Sequence, residues 1–271
     1  MSPRLAVRKT YKLWIGGAFV RSESGRYDRY QGHNVPRGSR KDVRDAVKAA
    51  RAAAAPWAAR TAYNRGQILY RAAEALESRA ADFDVPRAEL DASIDVLVHY
   101  AGWTDKLQPV LGGINPVAAP FLSFSLPEPT GAVGIVAPEE PELLGLAAEL
   151  APALAAGNTV VALLSETHPL AALDLAEVLG VSDVPAGVVN LLSGRRAELA
   201  PVLAGHHGLN AIVDASGDLE LGADIDRLAA ESVTRVRHAR PTTGYEEAVR
   251  DALGRLEAVT ELKTAWHPVG A

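Results

Sequence analysis

The chain has 271 residues, a formal net charge of −5, 48% hydrophobic residues rich in alanine, 6% aromatic residues and no cysteine. That length suffices for one large domain or a medium domain with an appendage, and the charge leaves no electrostatic footprint for nucleic acid. The lack of cysteine excludes disulfides, thiolate zinc sites and a thiol nucleophile.

Residues 1 to 38 read as strand and turn. In KLWIGGAFVRSESGRYDRY, Gly16-Gly17 and Ser24-Gly25 separate short apolar runs, a hairpin pattern. The opening MSPRLAVRKTYKLW lacks the apolar core of a secretory signal, and a cytoplasmic location is expected. Ser39 and Asp42 form an S-x-x-D helix start, and Val43, Ala46, Val47, Ala50 and Ala54 follow at helical spacing. A second helix is predicted from about Asn64 to Phe83, with Ile68, Leu69, Ala72, Ala73, Leu76, Ala80 and Phe83 inward. A third runs from about Asp91 to Leu107, with Ile94, Leu97, Val98 and Ala101 inward. Proline and glycine break residues 109 to 129, where Phe121, Leu122, Phe124 and Leu126 suit an extended segment; a projecting hairpin at an edge is expected.

From Gly131 the pattern is regular. AVGIVA is a strand, PELLGLAAELAPALAAG a helix closed by Gly157, TVVALL a strand, and PLAALDLAEVLG a helix between Pro169 and Gly180. GVVNLL is a strand, a polar helix reaches Gly205, NAIV is a strand, Leu219 to Ala230 a helix and VTRV a strand. Five apolar strands alternating with helices predict an α/β protein with a parallel, doubly wound sheet. The longest apolar stretch, Leu143 to Ala156, is interrupted by Glu149 and Pro152 and is too short to span a bilayer, so no membrane partner is expected. The tail EAVTELKTAWHPVG reads as one more strand, with Val259, Leu262, Thr264 and Trp266 as strand formers and Pro268 as the stop.

Other chemistries find little support. His206-His207 has no further ligand at helix or hairpin spacing, and no metal site is expected. Glu139 and Glu140 are adjacent in a proline-flanked turn, a position that more often faces water than forms an acid–base pair. No G-x-S-x-G is present, and Trp57 and Trp103 suit helix packing.

Eight segments resemble the NAD(P)-dependent aldehyde dehydrogenase superfamily, in the family's order and over nearly the whole chain. They are LWIGGAFVRSESG, DVRDAVKAARAAAAPWAART…RGQILYRAAEALESR, HYAGWTDK, EPTGAVGIVAP, LAPALAAGNTVV, SETHPLAALDLAEVL, VPAGVVNLLSG and LEAVTELKTAW. The resemblance implies a five-stranded Rossmann-like sheet with N-terminal helices, residues 1–108 and 130–245 forming an NAD(P)-binding-like domain. It implies a small antiparallel oligomerisation arm from residues 109–129 and 257–271. The family's catalytic domain is missing: RVRHARPTTGYEE leads almost directly into the tail. The chain in this respect resembles the truncated, cysteine-free second unit of tandem-type aldehyde dehydrogenases.

The resemblance also implies losses at the site. The family's cysteine nucleophile has no counterpart. The stretch that carries its glutamate base reads RVRHARP, and its Pro-Trp-Asn-Phe-Pro turn reads Pro138-Glu139-Glu140-Pro141. Carboxylates there would repel a developing oxyanion. No catalytic residue is therefore expected. The Lys-Pro-Ser-Glu ribose clamp reads Leu163-Leu164-Ser165-Glu166, and the Thr-Gly-Ser turn reads Asp214-Ala215-Ser216. Ser165, Glu166, Gly194 and Ser216 remain as vestigial cofactor contacts, so no tightly bound cofactor is expected, with NAD or NADP weak at most. The implied partner is a full-length aldehyde dehydrogenase homologue in a hetero-oligomer. The rival expectation is a component that binds NAD(P) and uses a partner's catalytic domain. A third is a sensor for some other adenosine-containing ligand.

Overall fold

The structure is a computed structural model, described here for residues 5, 7–240 and 242–269. Strands β1 (Leu13–Ile15) and β2 (Ala18–Val20) form a hairpin about Gly16 and Gly17, and β3 (Tyr27–Tyr30) and β4 (His33–Pro36) form another. Gly17 has a φ of 78° and lies so close to Ala186 that a side chain has no room.

Helix α1 (Arg40–Ala58) starts at a capping box in which the Ser39 side chain and Asp42 satisfy each other's backbone N–H groups. It buries Val43, Ala46, Val47, Ala50 and Trp57, while Ala54 is only partly buried because Trp57 closes the inward stripe. Helix α2 (Ala62–Ser78) is shorter than its apolar period suggests: a 3₁₀ turn at Ala80–Asp82 follows, and Phe83 reaches the core from an extended residue. Helix α3 (Arg87–Ala101) starts earlier and stops at Gly102, and a separate short helix, α4 (Leu107–Leu111), follows. Val98 is 40% exposed, against the inward expectation, since α3 turns Leu90, Val96, Leu97 and Tyr100 to the core and Val98 lies about 100° round from Leu97.

The chain continues through β5 (Gly113–Asn115), β6 (Phe121–Pro129), β7 (Ala132–Val136), α5 (Glu142–Ala155), β8 (Thr159–Leu163) and α6 (Leu170–Val181). Then come β9 (Val189–Leu192), α7 (Arg196–Ala204), β10 (Ala211–Asp214), α8 (Leu219–Glu231), β11 (Arg235–His238), α9 (Tyr245–Arg250), α10 (Ala252–Glu257) and β12 (Thr260–Pro268).

The main sheet has the order β11-β10-β7-β8-β9-β1-β2. The run β11-β10-β7-β8-β9 is parallel, the doubly wound sheet expected from the alternation of strands and helices. It has seven strands, not five, because β1 pairs antiparallel with β9 through Trp14 and Leu191 and brings β2 with it. That pairing covers an edge that would otherwise expose unpaired backbone groups, and hydrophobic periodicity carries no information about it. The last parallel strand begins at Arg235, later than VTRV suggests. Val233 has a φ of 54° and is 91% exposed, which places it in the preceding turn.

The sheet is buried on both faces, and the two-residue period sorts its side chains. Val133, Ile135, Val160, Ala162, Val189, Leu191 and Val213 join one cluster with α2, α3, α5 and α6. Ala132, Val136, Val161, Leu163, Leu192 and Ile212 join the other with α1, α7 and α8. Helices α9 and α10 lie between β11 and β12 and are bound into the first cluster through Ala248, Ala252 and Leu256. A second sheet, β12-β6-β5, is antiparallel, with β12 paired to β6 from Thr260↔Pro129 to Pro268↔Phe121.

Candidate functional site: the carboxyl edge of the parallel sheet

In an open parallel sheet, ligands enter beyond the carboxyl ends of the strands, where the strand order reverses. Here β7 has β8 on one side and β10 on the other, so the reversal lies beside Val136 and Asp214. The loops after β7, β8, β9 and β10 meet there.

Glu139, in the loop after β7, reaches into the loop after β8. Its carboxylate accepts from Ser165 Oγ at 2.6 Å, Thr167 N at 2.9 Å, Thr167 Oγ1 at 2.5 Å and Glu166 N at 3.4 Å. Arg196 Nη1 lies 2.7 Å from Oε1, the oxygen that also accepts from Glu166 N, while the Ser165 and Thr167 contacts fall on Oε2. Burial pushes the Glu139 carboxyl up, but bonds from Ser165 and Thr167 and the Arg196 charge together hold it below the ordinary value. Glu140 is the member of the pair that faces water; it is exposed and lies 3.4 Å from His168 Nε2.

Arg196 opens α7 and is 9% exposed. Its Nη2 donates to the Ala137 carbonyl, which pins the guanidinium beside β7, and its Nε has no partner among the described residues. Burial lowers its pKa, opposed by the carboxylates of Glu139, Glu166, Asp214 and Asp218. One buried cation thus stands among four carboxylates.

Each residue expected to touch a cofactor has an internal task. Ser165 donates to Glu139 and accepts from His168 N at 2.8 Å. Glu166 Oε2 accepts from Arg196 N at 2.8 Å, capping α7. Ser216 Oγ donates to Asp214 at 2.6 Å and accepts from Asp218 N at 3.2 Å. Gly194 has a φ of 154°, and a side chain there would meet Leu199 and the Gly38 backbone, which donates to the Ser193 carbonyl at 2.8 Å. Ser165 and Glu166 share one cluster with Glu139 and Arg196, whereas Ser216 belongs to a turn around Asp214 on the far side of β7.

Asp214 is 4% exposed and lies 3.1 Å from His238 Nδ1, while His238 Nε2 is 3.0 Å from Asp226. Burial lowers the His238 pKa, but the hydrogen bonds to Asp226 and Asp214 outweigh it and leave the ring more basic than usual. The Glu139 cluster does not have the layout of a nucleophile and its base, for a carboxylate held below its ordinary pKa removes a serine proton poorly. Among the described residues, no group of three or more His, Asp or Glu is placed to hold a metal ion, and no helix is long and apolar enough to cross a membrane.

Sequence reasoning missed Thr167, Arg196 and the inward turn of Glu139. The only signal was a pair of basic residues, Arg195 and Arg196, after Gly194 at the start of a helix, too common a pattern to single out.

The profile of the aldehyde dehydrogenase family matches residues 25–239. Cytosolic aldehyde dehydrogenase 1 of Elephantulus edwardii is 34% identical over 214 residues, covering 73% of this chain and 42% of that protein. Retinaldehyde dehydrogenase 3 of Mus musculus is 32% identical over 249 residues, covering 83% of this chain and 48% of its own length. The NAD+ complex of the Bacillus cereus aldehyde dehydrogenase superposes with a TM-score of 0.79 at 28% identity, covering 85% of this chain and 50% of that one. The chain therefore spans about half the length of the relatives it matches.

Proposed function

The chain belongs to the aldehyde dehydrogenase family, and from that footing we propose that it is a non-catalytic subunit that assembles with a full-length, active aldehyde dehydrogenase through the sheet β12-β6-β5. Its proposed compartment is the cytoplasm.

The observation that carries this is the asymmetry of that sheet's two edges. Thr130 N donates to the Val259 carbonyl and Val269 N to the Pro120 carbonyl. By antiparallel alternation, the odd-numbered residues of β12 therefore bond to β6. Leu262, Thr264 and Trp266 turn their backbone groups outward, and Leu262 and Trp266 are each 60% exposed. The first outward carbonyl, that of Thr260, is taken by Arg235 Nη1 at 3.1 Å. On the other side of β6, the outward positions beyond the end of β5 are Pro127 and Pro129, which have no N–H to offer. The opposite edge is three residues of β5 flanked by these prolines, so the nine-residue edge of β12 is the longer one left open to an added strand. The absence of any cysteine supports the non-catalytic half of the proposal.

Co-expression with a full-length homologue, followed by size-exclusion chromatography with light scattering, tests assembly. A mixed oligomer is expected; a monomer eluting beside an unbound homologue overturns the proposal.

A second reading has one observation in its favour: a closely similar fold is known as an NAD+ complex in the Bacillus cereus enzyme. In it the chain binds NAD or NADP and uses a partner's catalytic domain. Calorimetric titration of the isolated chain with both dinucleotides separates the two, submicromolar to micromolar binding favouring the second.

A further inference from the structure

His238 closes β11 with a carboxylate at each ring nitrogen. Nδ1 lies 3.1 Å from Asp214 Oδ2 at the end of β10, and Nε2 lies 3.0 Å from Asp226 Oδ1 in the middle of α8. A carboxylate only accepts, and a neutral imidazole has a single N–H, so both contacts are hydrogen bonds only when the ring is protonated. A neutral ring sets one nitrogen lone pair against a carboxylate oxygen. The Asp214 side chain is 4% exposed, and its other oxygen, Oδ1, already accepts from Ser216 N and Ser216 Oγ in the turn before α8. Gly222 lets the helix come this close: a β-carbon there would lie 3.2 Å from both Asp214 Oδ2 and His238 Cε1. Helix α8 has little else to hold it, for its buried residues are Gly222, Ile225 and Ala229.

We propose that His238 is a proton-operated latch that clamps α8 to the ends of β10 and β11, and that loss of the proton releases the helix. The charged groups facing the ring are Asp214 from β10 and Asp226 from α8; Arg237, next along β11, points to the opposite face and pairs with Glu149. The His238 side chain is 49% exposed, so the ring exchanges its proton directly with water. Burial alone would make it less basic, yet the bonds to Asp226 and Asp214 leave it more basic than the ordinary 6.5. The latch is therefore shut below that value and opens as pH rises through the raised one. Ile225 and Ala229 pack in one cluster with Ile212 and, at its margin, Val236, so an open latch loosens the cover over the outer strands of the sheet. The latch depends neither on a partner nor on a dinucleotide.

Hydrogen exchange read by mass spectrometry over a series of pH values tests this, each rate being divided by the intrinsic rate at that pH. From about pH 6 to about pH 9, protection of Leu219–Glu231 should fall at least about tenfold more than that of α2, a ratio that cancels any pH dependence of the whole fold. In His238→Gln the ratio of the two helices should not change with pH. The ring signal that disappears in His238→Gln should titrate in nuclear magnetic resonance with a midpoint above the ordinary 6.5, matching the midpoint of α8 release. Identical α8 profiles in wild type and His238→Gln, or a ring midpoint below 6.5, overturn the proposal. Should His238→Gln fail to fold, Asp226→Asn on the exposed side of α8 weakens one arm of the latch. It should loosen α8 and lower the ring midpoint, and an α8 profile unchanged from wild type overturns the proposal equally.

Discussion

Glu149 of α5 and Arg255 of α10 are paired inside the protein, with side chains 3% and 5% exposed. Arg237 of β11 lies 2.7 Å from the second Glu149 oxygen. Arg255 also donates to the Ala148 carbonyl at 3.1 Å and to Thr242 Oγ1 at 3.0 Å. The segment joining the last parallel strand to β12 is thus bound into the core by charge as well as by apolar contact. Removing Glu149 leaves two guanidinium groups uncompensated, a loss on the order of 3 kcal/mol. Glu149→Ala should lower stability by about that amount in urea unfolding, while Glu149→Leu with Arg255→Met and Arg237→Met should cost much less. Equal losses in both variants would show that the charges are not what holds α10.

The open edge of β12 makes a position-specific prediction. Thr264 turns its N–H outward, so Thr264→Pro removes a donor from the free edge and none from the ladder with β6. Ala265→Pro removes one from the ladder. Thr264→Pro should abolish association with a full-length homologue while changing stability by less than about 1 kcal/mol, whereas Ala265→Pro should cost stability as well, by about 3 kcal/mol. Retained association of Thr264→Pro in chromatography would place the contact elsewhere.

Glu142, in the first turn of α5, has its carboxyl pushed up to about 8 by burial first and then by the charge of Glu89, with Asp174 and Asp84 adding to the effect. Its Oε2 is buried without a partner. The folded pKa lies above the ordinary 4.5. The group therefore contributes stability that is full below the unfolded value and is lost as pH rises through about 8. Glu142→Gln should flatten this decline, gaining on the wild type between pH 5 and pH 9 in urea melts. A gap between the two that does not change with pH would count against a buried, proton-holding Glu142.

Gly194 separates packing from ligand binding. A β-carbon there would lie 2.6 Å from Leu199 Cδ1 and 3.0 Å from Gly38 N, at a φ of 154°. Gly194→Ala should cost roughly 1–3 kcal/mol whether or not nucleotide is present. Calorimetric unfolding with and without NAD checks this; a loss seen only with NAD would assign the glycine to the ligand.

Much of the fold was legible along the chain. The Ser39–Asp42 capping box, the inward stripe of α2 and the strands β7 to β10 follow from spacings within one element, and the structure keeps them. Helix ends were less legible, because Gly102 and the 3₁₀ turn after Ser78 interrupt apolar periods that continue beyond them. The cluster around Glu139 was not legible. Ser165 and Arg196 lie 26 positions and, through the Ala137 carbonyl, 59 positions from the loop they bind, and no local spacing relates such residues.

By itself, the sequence determined the kinds and order of the elements, the two buried faces of the sheet, the family and the absence of a thiol nucleophile. Those properties depend on residue type and short-range period, which a linear chain displays directly. Only the tertiary structure decided that β1 closes the β9 edge, that β12 forms the long outer edge of the small sheet opposite the short β5, and that Glu139 rests against Arg196. Each depends on backbone groups or charges far apart in the chain, whose energies exist only once folding has brought them within hydrogen-bonding distance and out of water.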